Sequence, residues 1–429
     1  MRVKLAYGRG GLTVNMPDNR TTVIEPQFMP GIPDEAASIR HALRHSIRSA
    51  PLHDVVRSGD TVAIVVCDLT RPMPTSLVLP VLLAELDHVP PEQIVILVAT
   101  GTHRGNTPQE LDQMLGHDVA RRYRVVNHDA FDASTQTRVG SLADGTDVWI
   151  CSELLRATKR ITTGFIEPHF FAGFSGGPKM VTPGLAGLET VLSLHAADLI
   201  ADPRATWGVT EGNPLWEKIC EAARLVDVDY GLNVTINKRH QITNVFAGDP
   251  WAAHHIGVEF ARKTAMRAVP QPYDVVVTTN AGYPLDLNLY QTVKGMSAAG
   301  QIVRPGGAIV VASECSDGVP EHGNFKKLLR DAGTPERLLE MVHQPGFHVH
   351  DQWEAQLLAQ LRLKASIYLK AGYLSDSQIS ELMLEPIASV DDCVNRLLED
   401  MDPNASVGVL TQGPMTIPYV QLRTPLALV

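Results

Sequence analysis

Hydrophobic positions in this chain fall into short β-branched runs separated by stretches with helical spacing. TVAIVV (61–66), QIVILVAT (93–100) and RITTGFI (160–166) read as strands buried on both faces. PTSLVLPVLLAEL (74–86) and TPQELDQMLG (107–116) read as helices. The second opens with Thr107 as N-cap, Pro108 at the first helical position and Glu110 completing a capping box. The pattern repeats further on: DVVVTTN (274–280), a helix near 287–302, GAIVVAS (307–313) and a last strand in SVGVLTQG (406–413). This alternation predicts two α/β domains with mostly parallel sheets and helices on both faces. Pro270 and Pro272 stand before a fresh strand, so a boundary is expected near residue 270. The expected division is an N-terminal domain over 1–268 and a C-terminal domain over 270–404, with the tail at about 405–429 packing back on the first.

Composition narrows the class of function. The 429 residues are 44% hydrophobic and 20% charged, enough apolar material for sizeable cores. The net charge of -10, without a basic block, argues against a nucleic-acid partner. The five cysteines are scattered with no CxxC pair, as expected of reduced thiols in a cytoplasm. MRVKLAYGRGGLTV has no apolar core of a secretory signal, and LVLPVLLAEL (77–86) is too short for a bilayer and contains Pro80. No membrane association is expected.

The polar clusters follow the strands directly. DLTRP (68–72) comes after TVAIVV, TGTHRG (100–105) overlaps the end of QIVILVAT, EPHFFAGFSGGPK (167–179) follows RITTGFI, and NAGYPLDLNLYQTVK (280–294) follows VVVTT. Open α/β sheets bind ligands beyond the carboxyl ends of their strands, so these four loops are expected to form one site.

Each candidate residue has a plainer alternative. GFSGGPK (173–179) fails as a phosphate-binding P-loop: its spacing is wrong, Pro178 removes an amide and Met180 stands where Ser or Thr is needed. Gly173-Phe174-Ser175-Gly176-Gly177 matches G-x-S-x-G, but that elbow must turn straight into a helix, and Pro178 and Pro183 follow it. A structural glycine loop is the stronger alternative, yet it leaves Lys179 unexplained. A lysine among apolar aromatics loses solvation and is pushed toward its neutral, nucleophilic form. His103, His169 and His195 could each be an ordinary surface or core histidine; their number beside one odd lysine favours function. No two have metal-binding helix spacing, so a conventional zinc site is not indicated. Arg71 offers a fork to a carboxylate with Asp68 to orient it, or else the two are a weak surface pair. Gln291 and Lys294 are three apart on one helix face, suited to an anion or to solvent.

Taken together, DLTRP, TGTHRG, EPHFFAGFSGGPKMVTPGLAG (167–187), SLHAAD (193–198) and LYQTVKG (289–295) resemble the nickel-pincer lactate racemase family, in the family's order and over most of the chain. The resemblance implies that Lys179 forms a thioamide to a nickel-pincer nucleotide, a modified pyridinium mononucleotide. It also implies that His195 completes the nickel coordination beside two sulfurs and a ring carbon, a donor set suited to planar Ni(II). It places Asp68 at the cofactor, His103 and His169 as paired acid–bases, and Arg71, Gln291 and Lys294 at the substrate. Proteins of cofactor synthesis are implied partners. Glycine geometry adds the expectation that Ser175 and the amides of Gly176 and Gly177 meet the cofactor phosphate.

The implied activity is a 2-hydroxy-acid racemase or epimerase acting through a 2-keto acid, with the active site in a cleft between the domains. Taking hydrogen from C2 as hydride avoids a carbanion that simple deprotonation could not reach. Family members carry a pocket aromatic, for which Trp353 in HDQWEAQ (350–356) is the candidate, with core packing an equal reading. No residue decides among lactate, longer, dicarboxylic or sugar acids. The competing classes are a non-catalytic carboxylate binder, disfavoured by the complete His–His–Lys set, and a serine hydrolase built on Ser175.

Overall fold

The computed structural model describes residues 1–321 and 323–421. Its two large sheets are built from β1 (Thr21–Ile24), β2 (Val62–Cys67), β3 (Ile94–Ala99), β4 (Arg124–Asn127), β5 (Lys159–Phe165), β6 (Tyr230–Ile236), β7 (Ile242–Gly248), β8 (Tyr273–Thr279), β9 (Val303–Ser313), β10 (Ala365–Ala371), β11 (Glu385–Pro386) and β12 (Val407–Leu410). The chain divides into two compact units, one of residues 28–195 and 204–264, the other of residues 1–27, 196–203 and 265–429. Both units are α/β with mostly parallel strands, as the alternation predicts.

In the first unit the sheet runs β7–β6–β5–β2–β3–β4. Strands β6, β5, β2, β3 and β4 are parallel, and β7 returns antiparallel at the edge. All six residues of β2, VAIVVC, are buried. A strand buried on both faces gives no period-2 signal, which is why it reads as one continuous apolar run. The helix Pro108–Leu115 carries the expected capping box between Thr107 and Glu110.

The second unit holds an all-parallel sheet, β11–β10–β9–β8–β12–β1. Val275 and Val277 of β8, Val310 of β9, and Val407 and Val409 of β12 pack with Val3, Leu5 and Val14 of an N-terminal hairpin. Here the grouping differs from the sequence expectation. The N-terminal strand β1 lies in this sheet rather than with residues 28–195, and β12 pairs between β8 and β1 instead of packing back on the first domain. The cause is a pairing between residues some four hundred positions apart, which leaves no local pattern. The end of the tail, 422–429, lies outside the described residues.

Candidate functional site

Three of the four polar loops lie side by side. Strands β5, β2 and β3 are adjacent and parallel, so Glu167–His169, Asp68–Arg71 and His103 all follow carboxyl ends on one sheet edge. The fourth loop follows β8, in the sheet of the other unit, so the four do not share one edge.

Asp68 is buried directly after β2, and its Oδ2 lies 2.8 Å from His103 Nδ1. Thr70 Oγ1 donates to Asp68 Oδ1 at 2.7 Å, and Arg71 Nη1 donates to Thr70 Oγ1 at 3.2 Å. Burial alone would raise the Asp68 pKa; the His103 ring, Arg71 and Thr70 outweigh it and hold the carboxyl below its usual 3.8. An ionised Asp68 accepts, so His103 carries its hydrogen on Nδ1 and its lone pair on Nε2. Asp68 thus hydrogen-bonds His103, a contact that the sequence reading did not place. Arg71 instead lies 4.0 Å from Glu167.

His169 is held the opposite way. The backbone amides of Phe171 and Ala172 donate to its Nδ1 at 3.2 and 3.1 Å, which puts the ring hydrogen on Nε2. The ring stacks on Phe170 with centroids 4.8 Å apart.

The glycine loop is a packed structure rather than a flexible one. Gly176 and Gly177 have φ of +74° and +52°, a region that disfavours any side chain. A Cβ on Gly177 would come within 2.5 Å of His254, and one on Gly176 within 2.8 Å of Asn233 Oδ1. The Gly177 amide donates to Asn233 Oδ1 at 3.0 Å, so it is committed to the protein and not to a phosphate. Ser175 is likewise engaged: its Oγ donates to the Phe165 carbonyl at 2.7 Å and accepts from the Glu167 amide at 3.0 Å. A single 3₁₀ turn, Gly177–Met180, follows, not the helix a nucleophile elbow needs. Lys179 is half-buried in that turn.

His195 caps the helix Leu188–Leu194 and is buried. Its Nδ1 lies 2.8 Å from the Val191 carbonyl, which fixes the hydrogen on Nδ1 and the lone pair on Nε2. That is the tautomer a metal-ligating imidazole needs, so His195 fits as a ligand. Among the described residues, the one cluster of three or more close metal-type ligands is His53, Asp87 and His88, and it contains none of these residues.

In the second unit, helix α1 (Leu289–Gly300) carries Gln291 and Lys294, and Lys294 Nζ donates to Gln291 Oε1 at 2.6 Å. Trp353, in helix α2 (Gln352–Lys364), is buried and donates from Nε1 to Tyr290 Oη at 3.0 Å. Sequence reading missed the next residue, Glu354, which is fully buried; its one signal is an acid inside an otherwise buried helical segment. No described helix is long and apolar enough to cross a membrane.

Residues 7–208 match the family model for the lactate racemase N-terminal domain, and residues 269–417 the model for the lactate racemase C-terminal domain. The chain is 32% identical over 422 residues to a lactate racemase of Thermoanaerobacterium thermosaccharolyticum, covering 97% of this chain and 98% of that one. It is 33% identical over 383 residues to a lactate racemase of Lactiplantibacillus plantarum, covering 88% and 90%. The solved lactate racemase apoprotein from T. thermosaccharolyticum superposes with a TM-score of 0.91 at 31% identity, over 97% of this chain and 100% of that one. A Thermotoga maritima protein shares the fold at a TM-score of 0.70 and 19% identity, over 92% and 100% of the two chains. With both domain models matched and relatives aligned along nearly its whole length, the chain belongs to the lactate racemase family and is a racemase, an enzyme of the isomerase class.

Proposed function

We propose that this racemase interconverts the enantiomers of a small 2-hydroxy acid, lactate or a related 2-hydroxycarboxylate, through a 2-keto acid. The observation that carries the reading is the opposite tautomer of two histidines that follow β3 and β5, the strands on either side of β2. His103 Nε2 has a lone pair to take the substrate hydroxyl proton as hydrogen leaves C2, and Asp68 stabilises the imidazolium that results. His169 holds a hydrogen on Nε2 to give to the keto oxygen as hydrogen returns. Arg71, after β2, is the fork for the substrate carboxylate, and Gln291 and Lys294 of α1 form a hydrogen-bonded pair suited to an anion.

A nickel-pincer nucleotide attached through Lys179 and ligated by His195 would supply the hydride acceptor when bound. Asn233 already takes the Gly177 amide and Ser175 is engaged internally, so neither is assigned to its phosphate. Five free, buried cysteines fit a reducing cytoplasm.

The deciding experiment is intact mass and nickel content of protein made with and without the cofactor-synthesis machinery, followed by chiral assay of lactate. A fixed mass gain, stoichiometric nickel and racemisation are expected together. In Lys179→Ala the mass gain should vanish; a modified peptide centred on another residue overturns the attachment site.

A further inference from the structure

His53 lies in the short helix Leu52–Val55, before β2, and Asp87 and His88 follow the helix Thr75–Ala84, before β3. Strands β2 and β3 are parallel neighbours, so these residues precede amino ends, whereas Asp68 and His103 follow carboxyl ends. The six-residue strand β2 separates the two edges by roughly 20 Å. Ligand atoms of His53, Asp87 and His88 all lie within 4.8 Å of one another. Leu52, Leu86 and Val89, beside them in the chain, are buried and hold both backbones in place.

The state of the His88 ring points to a cation. Its Nε2 lies 2.8 Å from the Val56 carbonyl, which can only accept, so that nitrogen carries the hydrogen. Its Nδ1 is buried with no hydrogen-bond partner among the described residues, and stands 3.9 Å from Asp87 Oδ1. A neutral ring thus turns a lone pair toward a carboxylate oxygen, two acceptors with no donor between them. The His53 ring meets His88 edge-on, with centroids 4.3 Å apart. The arginines of these segments face other acids: Arg44 pairs with Glu85 at 3.0 Å, and Arg57 acts on Asp60. Asp54, next to His53 in sequence, is exposed and adds negative charge.

We propose that His53, Asp87 and His88 form a binding site for a first-row divalent cation of the Zn(II) kind, separate from Lys179 and His195, that ties these two segments together. Two imidazoles and one carboxylate suit Zn(II), Ni(II) or Cu(II), and not the oxygen-preferring Mg(II) or Ca(II). Three protein ligands leave a fourth position to water. The Val56 carbonyl is the outer partner that orients a ligating imidazole. Set on the edge away from the catalytic histidines, the ion acts on stability and not on the reaction.

The test is zinc binding to the full chain made without the cofactor-synthesis machinery, by calorimetry and by melting temperature. Wild type should take up a zinc that His53→Ala and Asp87→Ala each bind about tenfold or more weakly. Both side chains are exposed, so the variants should fold. The same zinc should remain in His195→Ala, which removes the candidate nickel ligand. Zinc should raise the melting temperature of wild type and of His195→Ala, but not of His53→Ala, and magnesium should raise none of them. X-ray absorption of zinc-loaded His195→Ala should show only nitrogen and oxygen neighbours, at about 2.0–2.1 Å. A sulfur neighbour puts the ion on a cysteine and overturns the site. Equal zinc affinity in His53→Ala and wild type, or an equal response to magnesium, also overturns it. So does the absence of zinc uptake by wild type, which would leave a proton rather than a metal between His88 and Asp87.

Discussion

Asp68 and His103 are joined by a 2.8 Å hydrogen bond between the ends of adjacent strands β2 and β3. The pairing sets which nitrogen of His103 can act. It also supplies the negative charge that an imidazolium needs beside it, because Asp68 is held ionised.

Asp68→Asn should therefore lower kcat/KM by about 10²-fold or more without unfolding the protein. The amide can hydrogen-bond to Nδ1 from either of its ends, so the tautomer is no longer fixed, and the countercharge is gone. Racemisation by holoenzyme, with circular dichroism as a check on folding, measures this. Activity near wild type would mean that Asp68 only fills space.

Ser175→Ala makes a sharp contrast. The Phe165 carbonyl and the Glu167 amide each lose a partner, so stability should fall by about 1–3 kcal/mol. Racemase activity should largely survive, and neither protein should cleave esters. Ester cleavage by wild type that disappears in the variant would restore the hydrolase reading.

What sequence made legible follows from how local each signal is. VAIVVC and IVILVA read as buried strands because both faces are covered, and the polar residues after them mark the site edge. The Asp68–His103 bond spans 35 positions and becomes visible only when β2 and β3 are known to be neighbours. The glycines after Ser175 suggest mobility in sequence, whereas φ and the approach of Asn233 and His254 show that they serve packing. Glu354 is hidden because an acid in a helix normally reads as a solvated position.

The pH dependence of stability offers a check on Glu354 that needs no cofactor. Its folded pKa is raised from 4.5 to about 8, so the native state holds a proton that the unfolded chain releases above 4.5. The resulting contribution is fully present below the unfolded value and is lost as pH rises through the folded one. Glu354→Gln carries no such dependence. The melting temperature of the variant relative to wild type should thus increase by a few degrees between about pH 5 and about pH 8. A constant difference across that range would show that Glu354 does not hold a raised pKa.

The last prediction concerns His103 and His169 together. Racemisation in either direction needs one proton taken from the substrate oxygen and one returned to it. Replacing either histidine by alanine should stop net racemisation, with a loss of about 10²–10⁴-fold. The two variants should nevertheless differ. Without His169, the His103–Asp68 pair can still accept a proton, so one enantiomer should still be oxidised once, leaving trapped keto acid. Without His103, the remaining ring has its Nδ1 occupied by the Phe171 and Ala172 amides and its hydrogen on Nε2. Taking a further proton would cost those bonds, so single-turnover oxidation of the other enantiomer should be slower in His103→Ala than the corresponding step in His169→Ala. Mixing each variant holoenzyme with one pure enantiomer and quantifying keto acid after a single turnover separates the cases. Opposite enantiomer preferences with unequal rates support two histidines in complementary states. The same preference in both variants, or racemisation near wild-type speed in either, would make one of the rings structural.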